Sequence, residues 1–310
     1  MSAFDISTID LGFKGLDHAV AAFLVRGPDG AVLVETGPAS TVEALFAGLV
    51  AHGFAPSDLA AALVTHIHLD HAGAAGHLAA HGVDLYVHPR GARHLIDPSR
   101  LLASAERIYG DQLEALWGTT IAVPAERVHA VADGAVVQLA GLAFTALDTP
   151  GHAGHHHCWQ VGGAVFTGDV GGVRMPGSRL VAVPAVPPEF DPDAWRASIA
   201  RLRSAGAEAF YLTHFGRVGD PAEHLDALEA ELDAVLAFMT AAAQETDERD
   251  VLARRYVAWN RDRAEKLGVT SAEWARFEAA NPFSISVDGI LRWLALSPPE
   301  GDSRRVPVER

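Results

Sequence analysis

Four side chains that can bind a metal ion lie within six consecutive residues, directly after a predicted strand. The short apolar run 59–64 predicts a buried strand, and His66, His68, Asp70 and His71 follow it. Alternate residues of a strand face the same side, so His66 and His68 point together, and Asp70 and His71 stand at the start of a predicted helix. Imidazole and carboxylate groups suit zinc, iron or manganese. The fold must therefore close around a metal centre at the carboxyl end of this strand.

Charge and cysteine content exclude several classes of protein. The 310 residues include 39 Asp and Glu against 24 Lys and Arg, a net charge of −15. Nucleic-acid-binding proteins concentrate positive charge on one face, so nucleic acid is not an expected partner. The single cysteine, Cys158, excludes an internal disulfide and a cysteine-based zinc site, and favours a cytoplasmic protein. No run approaches the roughly 18 apolar residues of a membrane span, and residues 1–30 show no secretory signal, so no membrane contact is expected.

Short apolar runs separated by turn signals predict a mixed α/β fold over the first 220 residues. The predicted strands are 4–13, 18–26, 31–35, 59–64, 83–87, 128–131, 135–138, 142–147, 156–161, 164–169 and 209–213. The predicted helices are 40–52, 72–81, most of 90–117, and 192–205. After residue 220 an apolar stripe at helical spacing predicts a helix over 222–243, and the pattern stays helical over 249–296. Residues 298–310 resemble a loose polar tail.

The spacing of the histidines and aspartates resembles the signature of the metallo-β-lactamase-fold superfamily. The segment Thr65 to His71 is similar to its first metal-binding motif. Later parts of the pattern follow in the same order, in Thr149-Pro150-Gly151-His152, Phe166-Thr167-Gly168-Asp169 and Leu212-Thr213-His214. The resemblance covers roughly residues 1–219.

This resemblance implies a four-layer αβ/βα sandwich with the site at one edge between two sheets. The catalytic domain would be 1–219, followed by a C-terminal helical extension over 220–297 and the polar tail 298–310. It also implies two divalent metal ions, zinc in the first place, with iron and manganese as alternatives. One ion would be held by His66, His68 and His152, the other by Asp70, His71 and His214, with Asp169 bridging.

The resemblance further implies hydrolysis of a small molecule, with Asp70 and Asp169 as catalytic carboxylates. A metal-bridged hydroxide would attack an ester-like bond, and the acidic chain favours a carboxylic ester, lactone or thioester over a phosphodiester. Two alternatives stay open. One is an iron-dependent oxidation of persulfides, with one iron held by His66, His152 and Asp169. The other is a metal-binding interaction module without catalysis.

Several further residues are candidates for the surroundings of the metal centre. His155 and His156 follow His152 closely, and either could face the pocket, whereas His157 shares a strand face with Trp159 and is expected to be structural. The Gly- and Pro-rich segment 171–192 follows Asp169, and loops at strand ends commonly bind ligands. From this segment Arg174 could bind an anionic substrate, and Met175 and Phe190 could form an apolar wall. The C-terminal helices predict core packing and a homodimer contact rather than a substrate lid.

Overall fold

A computed structural model describes residues 4–296, which form two six-stranded sheets between layers of helices. The predicted tail 298–310 lies outside the described residues. The first sheet has the order β1 to β6, with strands Asp5–Asp10, Ala21–Gly27, Gly30–Val34, Leu59–Leu63, Leu85–Val87 and Val128–Ala130. β1, β2 and β3 pair antiparallel, and β3 to β6 pair in parallel.

The second sheet runs in the reverse order, from β12 to β7. Its strands are β7 Val136–Leu139, β8 Leu142–Asp148, β9 His157–Val161, β10 Ala164–Phe166, β11 Ala209–Leu212 and β12 Gly216–Val218. Neighbouring strands are antiparallel except β10 and β11, which are parallel. The carboxyl ends of β10 and β11 therefore meet at one edge of the sheet, where Asp169 and His214 follow them.

Alternating side chains hold the four layers together. Phe23 and Val25 point from β2 into the space between the sheets and join Phe144, Trp159 and Phe166 of the second sheet in one buried cluster. Ala22 and Leu24, which alternate with them on β2, face the other way, into a cluster with the helices of the first outer layer. These helices are α1 Val42–Ala51, α2 Leu69–Ala72, α3 Ala75–Ala80, α4 Pro89–Ile96, α5 Ser99–Tyr109 and α6 Leu113–Trp117. The predicted four-layer α/β sandwich is confirmed.

The second outer layer is α7, Pro192–Ser204, together with the C-terminal helices. These are α8 Pro221–Glu245, α9 Arg249–Lys266, α10 Ser271–Ala280 and α11 Phe283–Leu296. Leu228 and Leu232 of α8, Tyr256 of α9 and Phe277 of α10 are fully buried in the same apolar cluster as α7. A Cβ at Gly289 of α11 would collide with the carbonyl oxygen of Ala185, so only glycine permits this approach. The C-terminal helices are thus part of the core packing.

Three local predictions differ from the structure. The predicted helix 72–81 is interrupted at Gly73 and Ala74, between α2 and α3, and a Cβ at Gly73 would approach the backbone of Pro38 and Ala39 to 3.0 Å. The predicted strand 164–169 ends at Phe166, and Asp169 lies in the 3-10 turn Gly168–Gly171, where Gly168 has a φ of 50°. β12 was not predicted, since three residues give too little alternation to identify a strand. Within residues 4–296, no helix has the length and apolar character required to cross a bilayer.

A buried histidine on α8 predicts a loss of stability in acid. His224 is fully buried, and its Nε2 lies 2.7 Å from the carbonyl oxygen of Gly171. Burial lowers the pKa of His224 to about 4, and the hydrogen bond to the carbonyl of Gly171, which raises this pKa, has a smaller effect. Because the unfolded chain binds this proton more readily, the free energy of unfolding should fall by about 3 kcal/mol as the pH drops from about 6.5 to about 4. Urea titrations of metal-free wild type and His224→Gln measure this contribution, which the variant should lack.

The exposed His81 provides the control for this experiment. His81→Gln should keep the acid dependence of the wild type. An unchanged acid dependence in His224→Gln would show that this histidine is not a source of it.

Candidate metal centre

Seven side chains predicted as metal ligands meet at one edge between the two sheets. His66 and His68 follow β4, and Asp70 and His71 lie on the single turn of α2. The other three follow strands of the second sheet: His152 after β8, Asp169 after β10 and His214 after β11. The site is therefore built from strand ends of both sheets, which the core between the sheets holds in place.

The first group consists of three histidine nitrogens. His66 Nε2 lies 3.0 Å from His68 Nδ1, and His152 Nε2 lies 2.8 Å from the same atom. The three ligand atoms fall within 4.8 Å of one another and can share one ion. Three protein ligands leave one position of a tetrahedral ion open, as in catalytic sites.

The second group contains Asp70, His71 and His214, whose ligand atoms also lie within 4.8 Å of one another. Asp70 Oδ2 is 3.5 Å from His214 Nε2 and 3.8 Å from His71 Nε2. These two groups have the same composition as the two ligand sets that the sequence resemblance implies.

Asp169 lies between the two groups. Its Oδ2 is 3.2 Å from His152 Nε2 of the first group. Its Oδ1 is 3.0 Å from His71 Nε2 and 3.3 Å from His214 Nε2, both of the second group. Each carboxylate oxygen thus faces a different group, as a bridging ligand requires.

Backbone carbonyls orient two of the histidines. The Nδ1 of His152 lies 2.8 Å from the carbonyl oxygen of Pro184, and the Nδ1 of His214 lies 2.8 Å from that of Ala19. A carbonyl only accepts, so each Nδ1 carries the hydrogen and donates it. In the neutral rings the lone pair is then on Nε2, which faces the cluster.

Glu35 orients two further histidines of the site, His71 and His66, and was not among the residues predicted from the sequence. It is fully buried at the end of β3, and its Oε1 lies 3.0 Å from His71 Nδ1. The hydroxyls of Thr65 and Thr213 donate to the same oxygen, at 2.6 and 3.1 Å. The oxygen of Thr65 can then accept from Nδ1 of His66, 3.1 Å away. A carboxylate directly after a fully apolar strand was the signal in the sequence, because such a buried charge needs donors.

Unpartnered buried atoms test whether a metal pair fits. His71 Nε2, His214 Nε2 and Asp169 Oδ1 are buried and have no hydrogen-bond partner among the described residues. Asp169 Oδ1 lies 3.0 Å from His71 Nε2 and 3.3 Å from His214 Nε2. Buried polar atoms without partners are costly, and cations between them would satisfy their lone pairs. The donor set of five imidazoles and two carboxylates therefore fits divalent ions.

The charges of the metal-free cluster are unevenly distributed. Burial alone would lower the pKa of His71 and of His214, but the nearby carboxylates, above all Asp169, outweigh burial. They raise the pKa of His71 well above its usual value and the pKa of His214 to about 9. Burial and neighbouring histidines hold the pKa of His66 and of His68 well below the usual value. The half of the cluster around Asp169 and Asp70 is thus the one that holds positive charge without metal.

The histidines after His152 take different positions. His155 lines the cavity beside the cluster, with its ring centre 5.4 Å from that of His68. His156 is buried behind His66, at 5.0 Å between ring centres, and its Nδ1 lies 2.9 Å from the hydroxyl of Thr149. His157 packs against Trp159 within the core, as expected. Cys158 is fully buried, and burial raises its pKa to about 12.

Arg174, Met175 and Phe190 do not face the metal cluster, contrary to the sequence prediction. Arg174 donates to the carbonyl oxygen of Ser178 at 2.9 Å and borders a separate surface pocket together with Met175. Met175 and Phe190 are buried in the cluster of apolar residues around α7 and α8. The segment 171–192 packs on these helices, which turns the three side chains away from the site.

The wall of the site instead comes from other segments. A cavity of about 280 Å³ opens beside His68, Asp70, His152 and Asp169. α5, α6, the loop 184–189 and the α10–α11 turn border it. No local sequence pattern indicates these walls, because they meet only through the tertiary fold.

Comparisons with known proteins agree with this architecture. The sequence model of the metallo-beta-lactamase superfamily matches residues 15–214. A metallo-beta-lactamase fold-containing protein from Sulfurisphaera tokodaii is 28% identical over 160 residues, which cover 50% of this chain. The matched part is 60% of that relative's length.

Solved structures share the fold. A metallo-beta-lactamase family protein from Thermus thermophilus has a TM-score of 0.65 at 21% identity, over 96% of this chain and 94% of that chain. An archaeal metallo-beta-lactamase superfamily protein from Sulfolobus tokodaii has a TM-score of 0.66 at 21% identity, over 92% and 98%. A subclass B3 metallo-beta-lactamase from a soil metagenome library has a TM-score of 0.57 at 20% identity, over 79% and 97%.

Proposed function

The chain belongs to the metallo-beta-lactamase superfamily, and on that basis we propose that it is a hydrolase that uses two divalent metal ions to cleave an ester-like bond. The main support for this proposal is the position of Asp169, which directs one carboxylate oxygen toward each group of three ligand atoms. His66, His68 and His152 would hold one ion, and Asp70, His71 and His214 the other. Zinc is the proposed metal, and iron and manganese suit the same donors.

The proposed chemistry uses the two carboxylates differently. When bound at these residues, divalent ions would lower the pKa of a bound water toward about 7 and polarise the substrate oxygen. Asp169 would keep the two ligand groups at a fixed separation. Asp70 borders the cavity. Burial alone would raise the pKa of this carboxyl group, but His71 and His214 outweigh burial and the pKa is lowered, so the carboxylate is ionised. It can therefore accept a proton from the attacking water.

The cavity supports a small-molecule substrate. Its volume of about 280 Å³ lies just below the range of about 300 to 1,000 Å³ for ligand pockets, as suits a small substrate. His155 borders it, and its Nδ1 is buried without a hydrogen-bond partner among the described residues. We include His155 as a substrate contact. The net charge of −15 supports a carboxylic ester, lactone or thioester over a phosphodiester.

A substrate panel tests the proposal. Zinc-loaded protein should hydrolyse at least one carboxylic ester, lactone or thioester, and a chelator should abolish this activity until zinc is restored. A β-lactam and a phosphodiester complete the panel, since a structural relative is described as a subclass B3 β-lactamase. Hydrolysis that survives removal of the metal would contradict the proposal, as would activity on the phosphodiester alone.

Two further proposals concern the location of the protein in the cell and its oligomeric state. A cytoplasmic location is supported by the single, fully buried cysteine. A homodimer through the C-terminal helices would be seen as twice the chain mass in light scattering.

A further inference from the structure

The cavity beside the metal cluster has an apolar character that the ligand residues do not explain. The cluster forms one side of it, through His68, Asp70, His152 and Asp169. The side chains that border it from two separate parts of the chain, α5 and the α10–α11 turn, are mostly apolar, and Arg100, Ser104 and Asn281 are the polar ones among them. A substrate whose reactive bond lies at the cluster must place the rest of its structure between these two walls.

The first wall is one face of α5. Leu101, Ala105 and Ile108 border the cavity and are spaced four and three residues apart, so they share a side of the helix. The aromatic ring of Tyr109 follows, at 5.3 Å from that of Trp117 between ring centres, and both border the same space. Ile108 is 41% exposed. A large apolar side chain exposed in a concave wall is available to a ligand.

The second wall is the turn between α10 and α11. Ala280, Pro282 and Ile285 border the cavity there. The turn is fixed by Asn281, whose Nδ2 donates to the carbonyl oxygen of Val183 at 3.4 Å, and whose Oδ1 accepts from Ser286 at 3.1 Å. The C-terminal helices thus contribute a fixed part of the pocket in addition to packing on the core.

We propose that these two walls bind the apolar acyl part of the substrate, so that the site acts on medium-chain esters or lactones. This inference rests on the proposed hydrolase function and specifies its substrate class. The cavity of about 280 Å³ that these two walls border forms the acyl slot, and its volume, just below the range of about 300 to 1,000 Å³ for ligand pockets, limits the acyl group to a medium length. Each methylene transferred from water into the slot should tighten binding about threefold to fourfold.

A chain-length series tests this proposal on the full, zinc-loaded protein. The 4-nitrophenyl esters of acetate, butanoate, hexanoate and octanoate give kcat/KM, and calorimetry gives the affinity of the corresponding free carboxylates. Both quantities should rise about threefold to fourfold per methylene and level off when the slot is full. Equal values along the series, or a decline with length, would overturn the proposal.

Three variants assign the effect to the two walls. Ile108→Ser and Ile285→Ser should each lower kcat/KM and affinity for the octanoyl compounds on the order of fivefold, with little change for the acetyl compounds. Ile96→Ser is the matched control, because Ile96 is 39% exposed on α4 and does not border the cavity. An equal loss in Ile96→Ser, or none in both wall variants, would refute the assignment.

The calorimetric series separates failure of this inference from failure of the proposed function. If no ester is hydrolysed but carboxylate affinity rises with chain length and falls in the wall variants, the slot is supported and the hydrolase proposal fails. If esters are hydrolysed without dependence on chain length, the hydrolase proposal stands and the slot is refuted.

Discussion

Replacing Asp169 with asparagine should lower kcat/KM for hydrolysis on the order of 10³-fold. The expected loss is large because one oxygen of Asp169 faces His152 and the other faces His71 and His214, so this carboxylate serves both ligand groups. Asparagine keeps the size but removes the charge and one acceptor oxygen. Metal-assisted charge stabilisation contributes several kcal/mol to the transition state, and each 1.36 kcal/mol is tenfold in rate. Steady-state kinetics together with elemental analysis of the variant measure the effect.

Asp148→Asn is the matched control for this substitution. Asp148 also lies near a histidine, at 3.3 Å from His88 Nε2, but outside the seven ligands. The control should retain its metal and most of its activity. Full activity in Asp169→Asn would contradict the bridging role, whatever the metal content.

Replacing Glu35 with alanine should destabilise the protein by about 3 to 5 kcal/mol. The substitution leaves the hydroxyls of Thr65 and Thr213 and the Nδ1 of His71 without their shared acceptor in a fully buried position. Removing one partner of a buried charged network has a cost of this size. The midpoint of urea unfolding, compared with that of Glu43→Ala on the exposed face of α1, measures it.

The conservative variant separates stability from metal binding. Glu35→Gln keeps an acceptor oxygen and the side-chain volume but removes the charge that orients His71. Loss of such a partner typically lowers metal affinity 10-fold to 100-fold. We expect Glu35→Gln to fold and to bind zinc more weakly by about this factor. Wild-type zinc affinity would show that Glu35 has only a structural role.

Local patterns predicted the mixed α/β class and the first four ligand candidates, and the resemblance to a known family implied the four-layer sandwich and the complete ligand groups. Short apolar runs and turn residues identified most strands, and the apolar stripe after residue 220 identified the C-terminal helices but not their place in the second outer layer. His66 and His68 are two positions apart directly after one strand, so their convergence needs little tertiary information. The later residues His152, Asp169 and His214 became ligand candidates through their resemblance to a known pattern, since spacing alone does not bring distant loops together.

The surroundings of the site depended on contacts that no local pattern records. Glu35 accepts hydrogen bonds from Thr65 and Thr213, which are 30 and 178 positions away from it along the chain. Arg174 was predicted to face the site because its segment follows Asp169, but packing on α7 and α8 turns that segment away. Ile108 and Ile285 are 177 positions apart in the chain and border one cavity only through the tertiary fold.

The central claim is that this chain holds two metal ions with Asp169 between them. An anomalous difference map from crystals of the zinc-loaded protein, recorded at the zinc absorption edge, tests it most directly. We predict two peaks per chain, one bound by His66 Nε2, His68 Nδ1 and His152 Nε2 and one bound by Asp70, His71 and His214, with Asp169 contacting both. A single peak at full zinc loading, or peaks away from these atoms, would contradict the account.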